Sequence, residues 1–299
     1  MKPEDILILK HAFAVAGKVG AKAVLLHTDP IGDLYCNEKI PKKIKLILLS
    51  KKKKIEEPEG KEKSLASIAT GVVAIPKIQL MRNALIKIST TLALSMDMIS
   101  PGDKLVFAVG GSDTGCLDQI QIVDTSKESE FIAAKGAAKI SESVPPELFQ
   151  TVLNLAVELA DKGREGKPVG TIFVVGDHEK VMQLSKQMIM NPFKGYEEEE
   201  RNILSPSLKE TIRELSAMDG AFVVADDGTV LAAGRYLGAA SDESTLPRGL
   251  GSRHIAAAGI TGLTQSLAFV ISESSGDVRI FKGGKIIMHI EKAPNRNNR

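Results

Sequence analysis

Apolar residues recur along this chain in two rhythms, a helical spacing and short continuous runs. Residues 4–20 carry the helical spacing, and Gly20 offers that helix a stop. AKAVLLHTD (21–29) and KIKLILLS (43–50) are short apolar runs bounded by turn residues, the pattern of buried strands. Residues 77–96 return to helical spacing. SPGDK (100–104) is a turn, LVFAVG (105–110) a strand, GGSDTG (110–115) a glycine-rich loop and IQIVD (120–124) a further strand. Helices alternating with apolar strands predict an α/β layer.

The pattern then lapses. Residues 125–146 are small and polar and end in Pro145-Pro146. A linker is therefore expected at 127–145, between a first domain at 1–126 and a second at 146–299. The second opens with a helix over 147–163, where Val152, Leu155, Ala156 and Leu159 share a face and Gly163 supplies the stop. A strand follows at 169–177, then a helix at 178–190 with Asp177 as its cap. Another helix is expected at 205–218, capped by Ser205 with Pro206 at its first position. AFVVADDGTVLAAG (221–234) reads as a hairpin turned at Asp227-Gly228. The small residues of 253–264 suit a closely packed helix. LAFVIS (267–272), DVRIFK (277–282) and KIIMHI (285–290) form an antiparallel meander. The expected fold class is α/β in two domains: an N-terminal three-layer α/β domain and a C-terminal α/β domain with a mixed sheet.

Composition narrows the function classes. The 299 residues are 43% hydrophobic and 25% charged, with a net charge of +2. Those are ordinary globular values, and the charge argues for no nucleic-acid or membrane partner. No apolar run reaches the ~18 residues of a membrane span. Two cysteines, Cys36 and Cys116, cannot frame a fold of this size, so a cytoplasmic protein with reduced thiols is expected. The histidines at 11, 27, 178, 254 and 289 share no zinc-ligand spacing. With no Trp and 12 Phe and Tyr (9 plus 3), the core is aliphatic, and a bound base is expected against Leu, Ile, Val or Met. Seven lysines crowd residues 42–54, but Glu56, Glu57 and Glu59 follow and no aromatics interleave, so the run reads as a solvated loop. GGSDTG fails as a phosphate loop of the Walker type, because Gly115 is followed by Cys116 and Leu117 rather than Lys and Ser or Thr.

The chemistry gathers in the second domain. Asp219-Gly220-Ala221 lies where a helix gives way to a strand. Gly249-Leu250-Gly251-Ser252-Arg253-His254 is a glycine-containing turn entering a helix. Ser272-Glu273 closes a strand. A helix start presents free N–H groups and a positive dipole end, which suit an anion. Gly249 and Gly251 let that backbone approach a ligand closely. Ser252 is placed as cap and hydroxyl donor, Arg253 carries a planar charged fork, and His254 can donate to phosphate or bind a metal. Two readings stand at this level, a polyphosphate cradle or a capped, buried helix.

The ordered set MDGAFVVADDGTVLAAG, LGSRHIAAAGIT and FVISESSGDVRIFKGGKI resembles the diadenylate cyclase domain, over about residues 146–291. That family is marked by an Asp-Gly-Ala motif and an Arg-His-Arg motif preceded by Gly-Thr or Gly-Ser. SPGDKLVFAVGGSDTGCLDQIQIVD in the first domain resembles the C-terminal α/β domain of pyruvate kinases, and the combination resembles the archaeal DacZ type. The resemblance implies condensation of two ATP into cyclic di-AMP with release of two pyrophosphates. It implies one ATP per subunit in a homo-oligomer with active sites face to face. By motif, Asp219 would face the attacking 3′-hydroxyl, and Gly220 and Ala221 would leave room for ribose and base. Gly251, Ser252 and Arg253 would hold phosphates, His254 would assist the phosphates or a metal, and Ser272 and Glu273 would sit beside the triphosphate. A free aspartate titrates near ~3.9 and is a weak base for an alcohol. A divalent cation, Mn²⁺ or Mg²⁺, is therefore expected on the phosphates. One position departs from the family: its second Arg is Ile255 here. Arg235, Arg248, a metal or a partner subunit are the candidates to replace that charge. The departure also supports a second reading, a catalytically degenerate sensor of ATP or cyclic di-AMP. A DNA-binding role, as in bacterial relatives, would need further modules, and DNA is not expected as a partner.

Overall fold

The structure is a computed structural model that describes residues 1–31, 34, 41, 43–52, 64–111, 115–126, 144–239, 247 and 249–292. Several expectations fall outside these residues. They are Cys36, Lys42, Lys53, Lys54, the acids at 56, 57 and 59, the centre of the GGSDTG loop, most of the 127–145 linker, and Arg248. The chain divides into two compact units, Met1–Ala138 and Lys139–Arg299.

The first unit is built on a five-stranded sheet. In order across the sheet its strands are β3 (Gly71–Ala74), β2 (Lys45–Ser50), β1 (Ala23–His27), β4 (Lys104–Val109) and β5 (Gln119–Asp124). The first four are mutually parallel and β5 closes an edge antiparallel to β4. Helix α1 (Pro3–Val19) starts with Pro3 in its first turn and ends at Gly20, whose left-handed backbone (φ 68°) only glycine adopts freely. Leu9, Ala12, Phe13 and Ala16 of α1 pack on Val24, Leu26, Leu46, Leu48 and Val106. The alternate strand residues Leu25, Ile47, Leu49 and Phe107 are equally buried. A sheet covered on both faces needs no polar alternation, which is why its strands read as continuous apolar runs. Two short elements carry too few residues to show a period: α2 (Leu65–Ile68) and β3. The helix expected at 77–96 is α3 (Arg82–Ser95), because Met81 is held in extended backbone at its start.

The second unit holds a seven-stranded mixed sheet. Across it run β12 (Lys285–Ile290), β11 (Val278–Lys282), β10 (Leu267–Ile271), β6 (Thr171–Val175), β8 (Ala221–Val224), β9 (Val230–Leu237) and β7 (Ser185–Gln187). Only β6 and β8 pair in parallel. Helix α4 (Pro146–Lys162) covers one face, where its Phe149 ring centroid lies 5.5 Å from that of Phe269, and Phe173 stacks on Phe222 at 4.9 Å. Helix α7 (Ser252–Leu263) covers the other, packing Ala257, Ala258 and Ile260 on Ile172, Val174, Ala268, Val270 and Phe281. The small residues of α7 bring its backbone close to the sheet.

Two expected helices of this second unit are also shorter than their sequence pattern. The 178–190 segment is α5 (His178–Gln183), after which the chain turns into β7. Residues 185–187 instead satisfy the edge of β9, and hydrogen bonding along that edge overrides the helical spacing. Asp177 is the N-cap residue but its side chain makes no capping bond; its backbone is left-handed and its Oδ2 accepts from the Gln265 N–H at 2.7 Å. The helix expected at 205–218 is α6 (Leu208–Leu215). The Ser205 and Ser207 hydroxyls bond each other at 2.8 Å, and neither caps it. The β8–β9 turn is as expected: Gly228 is left-handed (φ 93°), and Asp227 Oδ1 accepts the Thr229 N–H.

Candidate active site

Helix α7 begins at the mouth of the site. Gly251 is its N-cap and Ser252 its first residue, so Ser252 does not cap it as the sequence suggested. A side chain at Gly251 would project into open space, which leaves the backbone there accessible to a ligand. The cap-turn bonds run from His254 and Ile255 N–H to the Gly251 carbonyl, at 3.0 and 3.3 Å. The Ser252 and Arg253 N–H groups find no acceptor among the described residues, as expected of a helix start.

Arg253 organises what surrounds it. Its guanidinium reaches Glu273 Oε2 at 3.2 Å from one nitrogen and Asp219 Oδ1 at 3.4 Å from the other. The three motifs read from the sequence therefore meet at one side chain. Both contacts are exposed, and the Asp219 side chain is 84% accessible, so these pairs add little stability and are open to exchange for a ligand. The fork fits beside Gly170 at the entry to β6, where a Cβ would lie 2.5 Å from Arg253 Nη1. Gly170 was missed by the sequence reading, and nothing in its local pattern announces the requirement.

Two cavities flank Arg253. One, of about 600 Å³, is lined by Gly249, Leu250, Gly251, Ser252, Arg253, His254, residues 271–275, Asp277 and Arg279. Apart from Leu250 and Ile271, it offers hydroxyls, backbone and charge. The other, of about 280 Å³, holds Asp219 at its border and is walled by Ile172, Met188, Tyr236, Leu237 and Ala256. This wall is aliphatic, with one aromatic, Tyr236. Ser252 and Arg253 line both cavities. The Cβ that Gly220 lacks would strike the Gly234–Arg235 backbone at 2.6–2.8 Å, so the motif glycine lets β8 and β9 approach. The Ala221 side chain is fully buried in the core.

Under the polar cavity lies a network that the motifs did not reveal. His254 is 6% exposed, and its Nε2 lies 3.2 Å from Arg279 Nη1. Arg279 Nη2 donates to Asp277 Oδ2, which also meets His289 Nε2, each at 3.2 Å. Burial, followed by the Arg279 charge, lowers the His254 pKa to about 4, so the imidazole is neutral at physiological pH. Burial pushes the Asp277 carboxyl up, but hydrogen bonds from His289, Lys292 N–H and Ser275, with the His289 charge, hold it below the usual carboxylate range. With Nε2 turned to a guanidinium, His254 is poorly placed as a metal ligand. Among the described residues no group of three or more His, Cys, Asp or Glu forms a metal cage.

The other candidate replacement for the missing charge is accounted for. Arg235 on β9 is 9% exposed. Its guanidinium donates to the Met182 and Ser185 carbonyls, both at 2.7 Å, and to the Ser185 hydroxyl. That fork is committed to holding α5 and β7 against β9.

The comparisons with known proteins agree on this unit. The family model described as "DisA bacterial checkpoint controller nucleotide-binding" matches residues 158–286, a span that includes every motif above. The diadenylate cyclase of Methanocaldococcus jannaschii is 39% identical over 204 residues, covering 68% of this chain and 65% of that protein. The diadenylate cyclase of Haloferax volcanii is 36% identical over 202 residues, covering 67% of this chain and 72% of that protein.

This chain belongs to the diadenylate cyclase family.

A solved structure of DacA from Staphylococcus aureus aligns over 49% of this chain and 87% of its own, at 24% identity and a TM-score of 0.33. Ile255, which follows His254 on α7, is half-buried. Among the described residues, no helix is long and apolar enough to cross a membrane.

Proposed function

We propose that this diadenylate cyclase family member condenses two ATP into cyclic di-AMP and releases two pyrophosphates. The observation that carries the reading is the pair of cavities of opposite character meeting at Arg253, with Asp219 on their border. One nucleotide spans them: triphosphate in the polar cavity, ribose and base in the aliphatic one. The 3′-hydroxyl then lies beside Asp219.

In each half-reaction the 3′-oxygen of one ATP bonds to the α-phosphorus of the other, and the bond from that phosphorus to the β-bridging oxygen breaks. Pyrophosphate leaves with the electron pair, and the hydroxyl proton departs toward Asp219 or solvent. Two such steps close the ring. Because each chain offers one such site, two chains must face each other, so a homo-oligomer is part of the reading. Arg253 leaves its two exposed carboxylate partners for the phosphates. Ser252, the α7 N–H groups and the Ser272–Ser275 turn add neutral donors. Ser272 and Glu273 close β10 at the cavity wall. Positioning and charge neutralisation supply most of the rate, as for phosphoryl transfers generally.

A divalent cation fits this donor set only in part. Asp219 and Glu273 present exposed hard oxygens of the kind Mg²⁺ or Mn²⁺ uses together with substrate phosphates, and the described residues alone make no cage. When bound, the ion neutralises charge on the phosphates. The cytoplasm is the expected setting.

Incubation of the full chain with ATP and Mg²⁺ or Mn²⁺, followed by mass analysis of the products, tests the reading. Cyclic di-AMP is expected. ATP that is bound and recovered intact would instead support a nucleotide sensor.

A further inference from the structure

Arg279 is a charged residue in a strand whose two faces are both buried. It alternates with Val278 and Ile280 and shares a face with Phe281, the face beneath α7. The Phe281 ring centroid lies 6.2 Å from that of His254, and the Arg279 guanidinium continues the same contact to the His254 ring nitrogen. A guanidinium has no acceptor, so His254 Nε2 must accept and the ring proton must sit on Nδ1. That Nδ1 is buried and meets no acceptor among the described residues. Both His254 and Arg279 line the polar cavity.

We propose that Arg279 is a positioning residue that fixes His254 as the neutral Nδ1–H tautomer at the wall of the triphosphate cavity, and that it also supplies the second fixed positive charge that Ile255 does not. Three observations converge on this assignment. The Arg279 side chain is 16% exposed, and Asp277 anchors it from below. Asp277 is itself held by the Lys292 N–H at 3.2 Å and by His289, which stands opposite Arg279 in the β11–β12 pairing. One guanidinium nitrogen therefore fixes the imidazole while the other is fixed by a carboxylate. The charge is delivered from the sheet side of α7, where position 255 would deliver it from the helix. The charged and titratable groups facing His254 are Arg279, Asp277, His289 and Arg253, and burial with Arg279 keeps the ring neutral.

The inference rests on the cyclase reading only in naming ATP as the anion, and its test is separable. In the full chain, long-range proton–nitrogen NMR of His254 should show a neutral ring protonated at Nδ1 near pH 7. A ring protonated at Nε2 would overturn the proposal, with no variant required. Calorimetric titrations with ATP and adenosine supply the second arm. Arg279→Met should weaken ATP roughly tenfold, as for loss of charge-assisted hydrogen bonds, and leave adenosine unchanged. Arg279→Lys should recover most of that loss. Unchanged ATP affinity in Arg279→Met, or equal losses for ATP and adenosine, would overturn it. Failure of the wild-type chain to make cyclic di-AMP would defeat the cyclase reading and leave these comparisons to judge Arg279 alone.

Discussion

The two cavities beside Arg253 share two residues and differ in nearly everything else. The larger is lined by donors and fixed charge, and beneath it lies a buried Arg–Asp–His network. The smaller is walled by Ile172, Met188, Leu237 and Ala256; of its two lining arginines, Arg253 is shared with the larger cavity and Arg235 has its fork committed to the protein. A buried arginine is therefore not a ligand site by itself. Arg235 meets two carbonyls and a hydroxyl, and that makes it a pin. Arg279 meets an imidazole and a carboxylate, and unlike Arg235 it lines the polar cavity. The division predicts which substitutions change chemistry, which change folding and which change only the grip on the base.

The largest effect is expected on the border between the cavities. Asp219→Asn should reduce turnover by about a hundredfold or more, the scale of a lost base or orienting group, while ATP and adenosine still bind. Turnover near wild type would remove Asp219 from the chemistry. Next, Arg235→Met should cost about 3 kcal/mol of stability, because three buried or part-buried acceptors lose their donor. The ratio of ATP to adenosine affinity should stay as it was. A changed ratio with unchanged stability would make Arg235 part of the phosphate site.

A pH series sharpens the charged side. The folded His254 pKa lies near 4, below the ordinary 6.5, so the unfolded chain binds the extra proton first. Stability from this group is complete above about pH 6.5 and declines as pH falls toward 4, by on the order of 3 kcal/mol. Denaturant titrations at pH 7 and 4.5 should show that decline, and His254→Gln should reduce it. An identical slope in the variant would contradict the buried neutral ring. The smallest effect belongs to the aliphatic side. Tyr236→Ala should weaken adenosine and ATP alike by roughly fivefold, the worth of one aromatic face. A loss confined to ATP would place phosphate in the wrong cavity.

Much of this was legible in the sequence because period and punctuation acted locally. Gly20, Gly163 and Asp227-Gly228 stop or turn elements as their residue types require. The motif order Asp219, Arg253, Glu273 named the residues that meet in space. Where long-range partners decided the outcome, the sequence misled. The helical spacing of 178–190 gave way to the open edge of β9, and Ser252 lost the capping role to Gly251. Arg279 did leave a signal, since an arginine inside the doubly buried strand VRIFK must face one buried side and needs a reason to be there. Gly170 left none, because the fork it accommodates comes from a helix 83 residues later, the separation of 170 from 253.

Paired calorimetric titrations of ATP and adenosine into wild-type and Arg253→Ala chains test the division at Arg253 most directly. ATP affinity should fall by at least about tenfold in the variant, and adenosine affinity should hold within about twofold. Equal losses for both ligands, or no loss for ATP, would contradict the placement of the triphosphate in the charged cavity and the nucleoside in the aliphatic one.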